Sequence, residues 1–338
     1  MRLLPLYMIA AILLRKTSRN SPRKEAFAKA KAMITKMNKE FYALLMDKTD
    51  FPQEAKQELL ESADSLMKAG QEEALDGAVE FFYENDFSIG QVQPFIEEIA
   101  DKIEKSPYTV WLLFLMEAAV PVRDMFREEG IEEQIFWDTF ADLRFKVLEC
   151  KEIHGVWGNF VSFWYPIFYS RDIVKLGRLE FENDVYNEDV PYEKNGYTVK
   201  KGDKVKSIHI PSSGEPFTEQ ARLESYKKAY EFFKEELQGK PLVCQCHSWL
   251  LNPEYAKFLP PTSNFVSFQH DFDIVRQENT EEFGDDWRLF GKDCKKPVFE
   301  LPERTSMQRA FKDYFLNGGR PGVGMGILIF DGEKIVNK

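Results

Sequence analysis

KVKSIHIPSSGEPFTEQARLESYKKAYEFFKEELQGKPLVCQCHSWLLNPEY, residues 204–255, is the stretch on which the fold turns. Its first eight residues alternate polar and apolar side chains and read as a strand. A short loop, SSGEPF, leads into a helical pattern from Thr218 to about residue 237. PLVCQCHS is a further strand, and NPEYAKFL a short helix for which Asn252 is the natural N-cap. A strand that feeds a helix presents unpaired backbone N–H groups at the positive end of the helix dipole, which suits a pyrophosphate. Thr218 is the expected N-cap there, and Ser212, Ser213 and Gly214 line the loop.

The two cysteines and the histidine of VCQCHS admit three readings. Zinc wants tetrahedral Cys/His ligation from paired ligands separated by a loop. On a strand, Cys244 and Cys246 share one face and His247 points to the other, so the three ligands diverge. No second CxxC or HxxxH completes a site, and no metal is expected. A nucleophilic cysteine would need a base such as His209 or His247 and a depressed pKa. The simplest reading is two small core residues on a buried strand.

Around this stretch the 338-residue chain divides by periodicity. Residues 22–155 are helical throughout, as in FPQEAKQELLESADSLMKA (51–69) and EEQIFWDTFADLRFKVLECKEIHG (132–155), each read as one helix. SPYTVWLLFLMEAAVPVRDMFREEG (106–130) is apolar enough for a central helix, kinked or broken at Pro121. The aromatic WGNFVSFWYPIFY (157–169) is expected at the junction of two domains, as core or as a pocket wall. From there to residue 338 strands enter: RDIVKLGRLEFE (171–182), an Asn195-Gly196 hairpin, NFVSFQHDFDIVRQ (264–277) and VGMGILIFDGE (323–333). Ser263 and Asn264 begin the third of these and could close a pocket.

A net charge of −11 argues against a nucleic-acid partner. Four cysteines form no disulfide framework, so the protein is expected to be cytoplasmic with reduced thiols. Residues 1–21 stand apart: LLPLYMIAAILL (3–14) is too short to span a bilayer, which needs about 20 residues, and a basic run follows it. It reads as a peripheral helix, with membrane-surface contact as the less favoured alternative.

LGRLEFE, IHIPSSGEPFTEQARLESYKKAYEFF, CHSWLLNPEYAKFLPPTSNFVSF and ELPERTSMQRAFKDYFLNGG, in that order, resemble bacterial two-domain acyltransferases. The resemblance spans roughly residues 50–330 and is sharpest over 204–268. It implies an α+β chain: an N-terminal helical domain, then a GNAT-like mixed, mostly antiparallel sheet flanked by helices. It implies an acyl-CoA-dependent N-acyltransferase that uses acetyl-CoA or another acyl-CoA as substrate and acts on a small-molecule amine. CoA would lie at the start of the helix near Thr218. Ser248, as an oxyanion donor or only a strand-end cap, and Asn252, an N-cap before a cofactor ligand, are further candidates there. The splayed central strands of that fold make His209 and His247 the base candidates, and Tyr255 falls where a general acid is often found. The glycine-rich loop usual in that superfamily is absent, since Gly214 stands alone between Pro211 and Pro216. That departure supports an alternative, a non-catalytic small-molecule binding or sensor protein on the same fold.

Overall fold

A computed structural model describes residues 37–338. The apolar stretch 3–14 and most of the basic run after it lie outside those residues. No helix among the described residues is long and apolar enough to cross a membrane. The chain forms two compact units that meet in sequence between Asp172 and Ile173.

The first unit is helical: α1 Lys39–Lys48, α2 Gln53–Lys68, α3 Glu72–Glu84, α4 Ile89–Lys102, α5 Pro107–Glu128, α6 Glu133–Phe140, α7 Asp142–His154 and α8 Pro166–Tyr169. Local sequence sets these boundaries. Asn38 accepts from the Phe41 amide to cap α1, and Ser106 caps α5 with Pro107 at its first position. The apolar α5 is buried on nearly every side and runs through Pro121 without breaking. Tyr83 and Tyr169 donate to the Ala118 and Leu115 carbonyls in the turns before that proline. The helix expected over 132–155 divides at Ala141 into α6 and α7. The segment 156–169, expected to open the second domain, packs into the first unit. There the Tyr165 hydroxyl donates to Asp142, and the Phe168 and Tyr169 rings pack against Phe140.

The second unit holds a six-stranded sheet in the order β1-β2-β5-β6-β8-β7. Its strands are β1 Ile173–Leu176, β2 Leu179–Val185, β5 Lys204–His209, β6 Leu242–Ser248, β7 Asp273–Asn279 and β8 Gly322–Phe330. Only β5 and β6 are parallel, so the sheet is mixed and mostly antiparallel. A separate hairpin, β3 Tyr192–Lys194 and β4 Tyr197–Val199, turns at Asn195-Gly196, where both residues have positive φ. The helices are α9 Glu219–Phe232, α10 Lys234–Leu237, α11 Asn264–Gln269, α12 Asp286–Phe290 and α13 Ser306–Leu316. Beside β8, Tyr192, Val199, Val205, Ile327 and Ile329 form one apolar cluster, and Tyr255, Phe311 and Phe290 belong to another.

Two strands expected from sequence differ in the structure. Residues 171–182 form a hairpin, because Gly177 adopts φ +73° and the next amide, Arg178 N–H, is held by Ser225 Oγ at 2.7 Å. A Cβ at Gly177 would lie 2.8 Å from that same hydroxyl. The strand expected over 264–277 begins only at Asp273. Ser263 accepts from the Phe265 amide and starts α11 instead, which buries Val266, Phe268 and Gln269.

Candidate active site

The parallel pair β5–β6 is joined only at Lys206↔Cys244 and Ser207↔Gln245. Beyond that register the strands part, while β5 stays paired with β2 through His209 and β6 with β8 through Ser248. His209 and His247 therefore stand at matching positions on the two sides of the opening. Strand alternation puts Ser207, His209, Gln245 and His247 on one face. Cys244 and Cys246 lie on the other, fully buried, and burial raises both thiols far from a reactive state.

That face is polar and mostly buried. Glu182 stands opposite Ser207, and its Oε2 lies 2.8 Å from His209 Nε2. Glu182 has 0% exposure and its neighbour Glu180 1%. A buried carboxylate is costly unless hydrogen-bonded, so its contact with the imidazole is a fixed feature of the fold. In the next row Asp184 Oδ2 accepts from Ser207 Oγ at 2.8 Å and from Gln245 Nε2 at 3.0 Å. His247 is the more exposed histidine. Desolvation, aided by Arg276, lowers its pKa against opposing pulls from Glu278 and Glu188.

At the end of β5 the chain runs through the 211–217 loop into α9. Thr218 caps that helix, its Oγ1 accepting from the Ala221 amide at 3.2 Å, and Ser213 Oγ accepts from the Glu215 amide. Two arginines flank the loop, and they differ in kind. Arg222, fully buried in the first turn of α9, is neutralised by Asp271 at 2.6 Å and also donates to Ser267. Arg178, from the β1–β2 turn, is 9% exposed and has no carboxylate within ion-pair distance among the described residues. Its Nη1 donates to the Pro211 carbonyl at 2.8 Å, its guanidinium sits 5.2 Å from the Phe217 ring centroid, and its Nε has no partner among the described residues. Desolvation lowers its pKa, with Glu215 and Glu180 opposing. Neither Arg178 nor Glu182 was anticipated, because the alternation in LGRLEFE reads as one strand with a solvated polar face.

Other anticipated residues do not join the opening. The Tyr255 hydroxyl donates to the Gly322 carbonyl and accepts from its amide, at 3.2 and 3.1 Å. With 0% exposure, and a pKa that burial raises to about 12, it ties the 253–257 turn to β8 and leaves no proton for an external group. Asn252 Oδ1 caps that turn through the Glu254 amide and takes a second bond from Gln277. Ser248 Oγ accepts from the Leu250 amide as another cap. Ser263 and Asn264 open α11 rather than a pocket-closing strand. Ser212, Ser213 and Gly214 remain in the loop with Thr218, as expected. No cluster of three or more potential metal ligands occurs among the described residues.

Comparison with known proteins decides the family. Residues 40–170 match the N-acyltransferase N-terminal domain, and residues 173–328 match the GNAT-like C-terminal domain. The chain belongs to the two-domain N-acyltransferase family. No curated protein matches it. Among solved structures it resembles an acyltransferase mutant in complex with octanoyl-CoA, at 18% identity and TM-score 0.69, over 88% of this chain and 90% of that one. It also resembles an acyltransferase in complex with decanoyl-CoA and teicoplanin, at 19% identity and TM-score 0.65, over 85% and 86%. A third, an acyltransferase in complex with CoA and 10C-teicoplanin, aligns at 19% identity with TM-score 0.66 over the same shares. At these identities the likeness is one of fold.

For a chain of the N-acyltransferase family, the opening offers two separable chemistries. On one lip, an imidazole held by a buried carboxylate can accept a proton. At the end of β5, a helix N-terminus and an arginine with no ion-paired carboxylate among the described residues can receive an anion.

Proposed function

We propose that the protein is an acyl-CoA-dependent N-acyltransferase that moves an acyl group from CoA to a small-molecule amine. The observation that carries this reading is the parting of β5 and β6 with the His209–Glu182 pair on its lip. An amine nitrogen attacks the thioester carbonyl carbon, a C–N bond forms, and the C–S bond breaks with CoA leaving as the thiolate. His209 takes the proton shed by the nitrogen, and Glu182 stabilises the resulting imidazolium. The thiolate is neutralised by a proton returned from that imidazolium or from solvent, so charge and atoms balance. Arg178, Thr218 and the 211–217 loop hold the CoA phosphates, and His247 faces the acceptor side. The protein acts in the cytoplasm and takes no nucleic-acid partner.

Medium-chain thioesters, the ligands of the similar solved acyltransferases, are the first donors to test. A ligand at 100 times its Kd raises stability by about 2.7 kcal/mol, so a melting shift with CoA and decanoyl-CoA reads binding directly. Thiol release with decanoyl-CoA and a panel of primary amines reads transfer. His209→Ala should lower that turnover by roughly 10²–10⁴-fold while the ligand-induced shift persists. Absence of a shift with every acyl-CoA from acetyl to decanoyl would sink the proposal.

One observation favours a second reading, a binding protein on this fold. Pro211 and Pro216 withdraw two N–H groups from the loop, and Gly214 is its only glycine. That reading requires the shift without turnover on any amine.

A further inference from the structure

Gln245 has an arrangement the proton transfer does not use. It is 9% exposed and sits on the floor of the opening, at the last register where β5 and β6 still pair. Its Nε2 is committed, 3.0 Å from Asp184 Oδ2 and 3.2 Å from Ser207 Oγ. The carboxylate fixes the amide's orientation, since a flipped amide would set oxygen against oxygen. Its Oε1 therefore points away, buried and without a hydrogen-bond partner among the described residues. Leaving a buried carbonyl unpaired is unfavourable, so the fold retains an acceptor here that waits for a donor.

The register says which donor. Glu182, Ser207 and Gln245 stand in one row across β2, β5 and β6. His209, two residues beyond Ser207 on the same face, has its Nε2 against Glu182. Adjacent strands lie about 4.8 Å apart, so the imidazole and the Gln245 carbonyl flank the same short length of the opening. A nucleophile between them meets two groups that take a hydrogen: one removes its proton, the other only accepts a hydrogen bond. A primary amine has N–H groups for both. A hydroxyl has a single proton, and giving it to His209 leaves Gln245 Oε1 unpaired.

We propose that Gln245 is a specificity-determining residue that holds the acceptor nitrogen through Oε1 and selects amines over alcohols. This rests on the acyltransferase reading above. A site built to bond a substrate N–H or O–H discriminates against an analogue that cannot supply it.

The test uses the full chain, decanoyl-CoA, the primary amine of the panel that turns over fastest, and the alcohol of the same carbon skeleton. In Gln245→Met the amine's kcat/KM should fall about tenfold, the size of one neutral hydrogen bond, and the amine-to-alcohol ratio should fall with it. The CoA-induced melting shift should stay unchanged. Ser207→Ala, which removes a neighbour of the same amide while leaving Oε1 in place, should keep the wild-type ratio. Should Gln245→Met fail to fold, Gln245→Asn withdraws the carbonyl by one methylene and should show the same loss of ratio. An active, folded Gln245 variant with an unchanged ratio overturns this inference and leaves the acyltransferase reading intact. A wild-type protein that acylates no amine overturns both.

Discussion

Removing Arg178 should weaken acyl-CoA binding without weakening the fold, which is the reverse of what loss of a buried arginine normally does. In Arg178→Met the folded state loses one hydrogen bond to the Pro211 carbonyl, a net contribution of about 1 kcal/mol. It also loses the contact with Phe217, worth about 0.5–2 kcal/mol. Against this, the wild type keeps a guanidinium buried with no carboxylate at ion-pair distance among the described residues, offset only by the longer-range pull of Glu215 and Glu180, at an effective cost of several kcal/mol, roughly. The melting temperature should therefore stay level or rise. Binding behaves oppositely, because a hydrogen bond from a charged donor to phosphate contributes about 1.5–3 kcal/mol, a loss of roughly 10- to 150-fold in affinity. Arg222→Met is the control: it strands Asp271 in the interior, at about 3–5 kcal/mol. For a unit of this size that is a fall of roughly 6–20 °C. Melting curves with and without CoA, plus calorimetric titration with decanoyl-CoA, separate the two variants. A lowered melting point with unchanged affinity in Arg178→Met would refute the reasoning, since Arg178 would then be an ordinary structural arginine.

Tyr255→Phe should lower stability by about 1–3 kcal/mol, because it leaves both Gly322 peptide groups without their partner. Its turnover at a temperature where it is folded should match wild type, whereas a general acid would lose roughly 10²-fold or more. Cys150, Cys244 and Cys246, all raised by burial, should resist iodoacetamide at pH 7.5 in the folded protein and label fully in denaturant; fast labelling of Cys244 or Cys246 would reopen the nucleophile reading. In the helical unit, burial raises the Glu117 pKa above its ordinary value, against a hydrogen bond from the Asn38 amide. The folded state then holds this proton more tightly than the unfolded state, so stability falls as pH rises through the ordinary carboxylate range to the folded pKa. Glu117→Gln should therefore melt higher than wild type at pH 7–8, with the gain shrinking toward pH 4; a gain independent of pH would contradict it.

Much of this architecture was legible because local chemistry and tertiary fold agree. Thr218 and Asn252 cap as their side chains allow, Asn195-Gly196 turns a hairpin, and Cys244 and Cys246 share the buried face that strand alternation assigns them. The differences share one cause: a local pattern runs on over more residues than the element it belongs to. IVKLGRLEF alternates well enough for one strand, and only the contact of Arg178 N–H with Ser225 on a distant helix shows that Gly177 reverses the chain. NFVSFQ is rich in strand-forming residues, yet the Ser263 cap and the burial of Val266, Phe268 and Gln269 make it a helix.

The candidate site was half legible, and the hidden half is its charged part. The two histidines could be named because their residue type announces proton chemistry and the strand order puts them across an opening. Glu182 could not. In RLEFE, apolar Leu179 and Phe181 alternate with Glu180 and Glu182, and that alternation ordinarily means a strand with its glutamates in water. Here both faces are buried, and the same two-residue period that hides Phe181 aims Glu182 at an imidazole. Arg178, one turn earlier, is hidden by the same ambiguity. What separates a solvated charge from a buried one is what covers it, which no period of two or 3.6 residues encodes. A buried charge is costly, so a fold that keeps Glu182 and Arg178 inside must hold each against something. For Glu182 that partner is His209; for Arg178 no carboxylate among the described residues fills the place, and a ligand phosphate is the group its chemistry fits.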